Sequence, residues 1–227
     1  MKDPIISEKV PQKTWQLIIH MTSTVLCYID YNNNNWYQNE DNNYLNPIEF
    51  FGEPTKPVLQ IYLFLLSYWI VSSVRHQFEH RRKDFYVLVI HHVVTIGLMT
   101  GSYYYGYTKI GMFVLFSHES SDILVELLKV FNHLRLNGKK GLYLSEITLF
   151  LTMISWLYIR NFRFSAFIYQ ILMDMYHYHG LPKGLTLWQT MITLPGWIPL
   201  YVLLLLLELL HIYWIILFIK LFITTLF

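Results

Sequence analysis

The chain has 227 residues, of which 54% are hydrophobic types and only 14% charged, with a formal net charge of +2. A soluble globular domain carries about 25% charged residues, so too little charge is present to cover a surface facing water. That argues against a soluble enzyme and a disordered chain, and the near balance of Lys+Arg 17 against Asp+Glu 15 argues against a nucleic-acid binder. An all-α integral membrane protein remains, because the apolar runs show no period-two alternation of the kind a β-barrel needs.

In chain order, residues 1–13 mix acids, bases and two prolines and read as a cytosolic tail. Charge-poor runs then predict six transmembrane helices, at approximately 14–30, 57–74, 85–104, 109–131, 142–160 and 197–222. Each is near the roughly 20 residues that cross about 30 Å of hydrocarbon. The first is the weakest, being short and holding Gln16, His20 and the hydroxyl run Thr22, Ser23 and Thr24. The Asn-rich, acidic segment 31–57 reads as a flexible non-cytosolic loop. Between the fifth and sixth spans, residues 161–196 are punctuated by Pro182, Pro195 and Gly196 and read as interfacial or re-entrant. With the N-terminus in the cytosol, 12 of the 17 Lys and Arg residues fall on the cytosolic side, which orients both termini there.

The third and fourth spans hold His91, His92, His118, Glu119, Asp122 and Glu126. An ionised side chain at the bilayer centre costs about 2.5–3.5 kcal/mol on insertion scales, so such residues are functional by default. His118, Asp122 and Glu126 recur every four residues and are expected to form one helix stripe, with Glu119 beside it. His91 lies eight residues past Lys83 and Asp122 seven before Lys129, roughly 12 and 10 Å from the same interface at 1.5 Å per residue. In an antiparallel hairpin the two clusters would therefore meet. Imidazoles beside carboxylates in an apolar setting suit proton transfer, or nucleophilic catalysis by an imidazole. Hydrogen bonding between helices is the plainer reading of the same residues.

Weaker candidates are His76 with His80, at the i, i+4 spacing of a metal pair, His177 with His179, read as interfacial, and Glu208 with His211 on the last span. Trp156, Trp197 and Trp214 read as interface anchors and packing residues. The single Cys27 cannot form an internal disulfide. Arg81, Arg82 and Lys83 have a topological role, and a cationic ring of this kind also steers the phosphates of an anionic cosubstrate.

The stretch 81–134 contains RRKDF leading into a span, an HH pair followed by VTI, and then His-acid-x-Ser-Asp on the next helix. It resembles the longevity-assurance signature of ceramide synthases within the TLC-domain family. SYW (67–69), Arg160 at the end of the fifth span and LLHIYW (209–214) extend the likeness over most of 58–222. The resemblance implies a TLC-type domain over 14–227, with six helices around a central cavity open to the cytosol. It also implies an enzyme of the endoplasmic reticulum membrane, transferring a fatty acyl chain from acyl-CoA to the amine of a sphingoid base. On it, His91, His92, His118, Glu119 and Asp122 are expected to be catalytic, and Arg81, Arg82, Lys83, Arg160, His211 and Trp214 to bind substrate. No cofactor is expected beyond acyl-CoA as cosubstrate, no metal is expected, and a homo- or hetero-dimer is compatible with the likeness. Glu119 stands where the family pattern has Asp, a longer arm able to displace the imidazole it orients.

Two chemical routes fit these residues: general-base catalysis by His91, His92 and His118, or an acyl-imidazole formed on His91. A non-catalytic lipid-binding, sensing or transport protein is the first alternative. A metal-dependent lipid hydroxylase, suggested by ten histidines, is the second, although the repeated H-x-x-H-H boxes of such enzymes do not occur.

Overall fold

The computed structural model describes residues 4–33, 54–78, 84–176 and 184–226. Arg81, Arg82, Lys83, His80, His177 and His179, and the Asn-rich stretch 34–53, lie outside the described residues. The described residues are helical: α1 (Pro4–Asn33), α2 (Lys56–Phe78), α3 (Phe85–Tyr104), α4 (Thr108–His133), a 3-10 turn (Lys139–Gly141), α5 (Leu144–Ser155), a π-helix (Trp156–Arg163), α6 (Phe164–Tyr176), α7 (Leu187–Thr193) and α8 (Trp197–Leu226). Three helical stretches, Lys56–Phe78, Phe85–Tyr104 and Trp197–Thr224, are long and apolar enough to cross a membrane.

Two helices run beyond the segments read from charge. α1 starts ten residues earlier than 14, taking Pro11 and Lys13 into the helix. Lys13 is buried rather than terminal because its ammonium lies 3.7 Å from Glu126 and donates to Gln16 at 2.7 Å. The fifth segment does not stop at Arg160: the π-helix passes straight into α6, so 164–176 is helical where an interfacial or re-entrant stretch is expected. Arg160 looks like the end of a span only while its charge is taken as solvated, and it is buried and paired.

The chain divides into two compact units. The first comprises Met1–Leu26, Leu115–Phe164 and His211–Phe227, and the second Cys27–Val114 and Ser165–Leu210. Within the second, glycines set the helix spacing. A Cβ on Gly111 of α4 would stand 3.0 Å from Ser102 Oγ and collide with the Tyr62 hydroxyl. Tyr62 is fully buried, 2.5 Å from Ser102 Oγ, and donates to the Met99 carbonyl. Gly97 and Gly101, four apart on α3, face Leu203 and Leu200 of α8, the small-residue spacing that lets apolar helices approach closely. Gly196 (φ +69°), before α8, packs against the Tyr105 ring, so both its dihedral and its surroundings exclude a side chain. Tyr107, in the turn between α3 and α4, donates to the Pro195 carbonyl at 3.0 Å, and burial, assisted by Tyr105, pushes its phenol up to about 12. α7 opens on a capping box in which Thr186 and Gln189 satisfy each other's backbone N–H.

Candidate active site

Within the first unit, one face of α4 meets α1 and another meets the π-helix and α8. On the α1 side, Glu119 Oε2 lies 2.7 Å from His20 Nδ1 and accepts from Ser23 Oγ at 2.8 Å. Seven residues along α4, Glu126 pairs with Lys13, seven residues back along α1, and with Lys129. Equal steps in opposite directions are the register of two antiparallel helices.

On the other side, His118 Nε2 and His211 Nε2 are 2.9 Å apart, so one ring nitrogen donates and the other accepts. Both rings are buried, His211 fully, with Phe164 edge-on to each. The His211 carbonyl accepts from Trp156 Nε1 at 3.1 Å. Arg160 donates to Asp122 Oδ1 at 2.6 Å, to Ser121 Oγ at 2.6 Å and to the His118 carbonyl at 3.0 Å, while its guanidinium sits 4.4 Å from the Trp156 ring centroid. The π-helix carries both Trp156 and Arg160, and its wide turn is a local feature often found where function needs unusual side-chain placement. Trp214 meets Trp156 edge-on with centroids 5.9 Å apart.

The expected stripe of His118, Asp122 and Glu126 is therefore divided. At 100° per residue, an every-fourth-residue row drifts roughly 40° per step, putting Glu126 about 80° from His118. A seven-residue step returns within about 20°, which is why Glu126 shares its face with Glu119 instead. Nor does Asp122 orient an imidazole through its Oδ1, which receives Arg160.

His91 and His92 belong to the second unit and are both buried. Their rings lie 5.7 and 5.6 Å from Trp69, and His76, read from sequence as a loop residue, is buried, stacks on Phe85 at 4.9 Å and lies 5.7 Å from the His92 ring. Glu208, also in this unit, accepts from Ser165 at 2.8 Å. Among the described residues no three His, Cys, Asp or Glu side chains gather where they could hold a metal ion. His20, Ser23 and Ser121 join the site without having been singled out from the sequence. The one signal for His20 and Ser23 was the polarity of the first span.

A family profile described as the TLC domain matches residues 9–220. The chain belongs to the TLC-domain family. It is accordingly a membrane protein. Among curated relatives, ceramide synthase 4 of Bos taurus is 32% identical over 132 residues, covering 58% of this chain and 33% of the bovine protein. Sphingosine N-acyltransferase lac1 of Schizosaccharomyces pombe is 40% identical over 74 residues, or 32% of this chain and 19% of the yeast protein. ASC1-like protein 1 of Oryza sativa subsp. japonica is 26% identical over 178 residues, or 74% of this chain and 55% of the rice protein. The chain thus spans between about a fifth and little more than half the length of these relatives.

Proposed function

We propose that this chain is a ceramide synthase-like N-acyltransferase, joining the acyl group of a fatty acyl-CoA to the amine of a sphingoid base. The observation that carries the reading is the hydrogen-bonded pair of buried imidazoles, His118 and His211, in a chain whose relatives bear ceramide synthase and sphingosine N-acyltransferase names. A long-chain amine arrives as an ammonium and must lose a proton before it can attack. In this proposal His118 takes that proton, and His211 fixes the ring and shares the charge that results. The freed amine nitrogen attacks the thioester carbonyl, the C–N bond forms, the C–S bond breaks, and coenzyme A leaves as a thiolate that takes up a proton. Arg160 and Asp122 keep the backbone of His118 in place. His91 and His92 are assigned to the same reaction, as bases or, for His91, as acceptor of the acyl group. The thioester is already activated, so no cofactor is invoked.

The same reading places the chain in the endoplasmic reticulum membrane with six crossings and cytosolic termini, in keeping with its Lys and Arg bias. Arg81, Arg82 and Lys83 would attract the phosphates of coenzyme A. Purified protein given labelled acyl-CoA and sphinganine tests the proposal: it predicts labelled dihydroceramide. Lipid bound without product would instead identify a non-catalytic lipid-binding protein.

A further inference from the structure

His20, which pairs with Glu119, is not among the residues the resemblance singles out, and the geometry of the pair is asymmetric. Glu119 is fully buried. A carboxylate with two donors nearby can satisfy one with each oxygen, yet both His20 Nδ1 and Ser23 Oγ converge on Oε2. Oε1 is buried and has no hydrogen-bond partner among the described residues. Burying such an atom without a partner is costly, and a role in function is one reason a native protein carries it. His20 Nδ1 at 2.7 Å holds this oxygen, helped by Ser23, whose single hydroxyl proton is shared with the Ile19 carbonyl, and turning the carboxyl group about its terminal bond would break both contacts. The extra methylene that distinguishes Glu from Asp lets the carboxyl group reach α1.

We propose that His20 is a positioning residue that, with Ser23, fixes Glu119 through Oε2 and leaves Oε1 as the acceptor for an N–H or O–H of an amino-alcohol substrate. The substrate class rests on the acyl-transfer reading; the pinning of the carboxylate does not. Lys13 and Glu126 already tie α1 to α4 two turns away, so His20 is not required merely to hold the helices together. Its role is to set one carboxylate.

The test compares the purified full chain with His20→Ala, His20→Asn, Glu119→Asp and the double variant His20→Ala/Glu119→Asp. The Asn amide nitrogen can stand where Nδ1 stands, so His20→Asn should retain most of the turnover that His20→Ala loses. His20→Ala should lower kcat about 100-fold, the scale of a 1 Å misplacement, with KM for acyl-CoA within about twofold. In the Glu119→Asp background, where the shorter arm no longer reaches His20, His20→Ala should change nothing further. Unchanged kcat in His20→Ala, or equal losses in the Ala and Asn variants, would overturn the proposal. A second readout is independent of turnover and of whether His20→Ala folds. Sphinganine alone should shift the infrared carboxylate band that is missing from Glu119→Gln, in wild type and in His20→Asn. If wild-type protein makes no ceramide, the acyl-transfer reading fails while a band shift still supports the positioning role. If ceramide forms and the band is unmoved by sphinganine, the positioning proposal alone fails.

Discussion

Asp122 and Arg160 form a buried ion pair within the first unit, with side-chain exposures of 17% and 2%. Removing one partner from such a pair leaves a charge without compensation and costs about 3–5 kcal/mol, whereas removing both costs far less. Arg160→Met should therefore sharply lower the apparent unfolding temperature in detergent, and adding Asp122→Asn should restore a large part of it. Equal midpoints for wild type and Arg160→Met would show that the pair has no such role. Ionisable residues inside apolar runs made His118, Glu119 and Asp122 legible in the sequence. Their partners were not: Arg160 resembled the end of a span, and His20 resembled a blemish in a marginal one. A buried charge and the residue that neutralises it are far apart in the chain, and periodicity reports only one helix at a time.

Helix positions were easier to read than helix ends. α3 begins directly after Asp84 and ends at Tyr104, in the Tyr-rich turn before Thr108 and short of the next charged residue, Lys109. α1 and the run from α5 through the π-helix into α6 extend past their charged residues, since Lys13 and Arg160 are neutralised internally. Close helix packing was legible only afterwards, in the glycines. Gly111→Ala must displace the Tyr62 hydroxyl from Ser102 and Met99 and should destabilise by about 1–3 kcal/mol, the usual range for overpacking. Gly97→Ala meets only the end of Leu203 at 3.4 Å and should be neutral or slightly stabilising, as alanine favours the helix by about 1 kcal/mol. Thermal unfolding of the two variants separates these outcomes, and equal midpoints would refute the assigned contact.

At the scale of the molecule, composition alone identified a membrane protein, and the structure shows how that composition is used. Large apolar side chains such as Val71, Val93 and Leu209 are more than 60% exposed on their helices, a surface suited to lipid tails and not to water. Polar residues gather instead within each unit: the acids, imidazoles and Arg160 of the first, and the three histidines around Trp69 and Phe85 of the second. The functional claim rests on His118 and His211 of the first unit. Dihydroceramide formation from acyl-CoA and sphinganine by purified wild type and His118→Ala, with acyl-CoA binding and unfolding temperature measured alongside, tests it most directly. Steady product from wild type, and loss of turnover in a variant that still folds and binds acyl-CoA, is the predicted result. Wild-type turnover in a folded His118→Ala protein would contradict the role given to this imidazole, and absence of product from intact wild type would contradict the reaction itself.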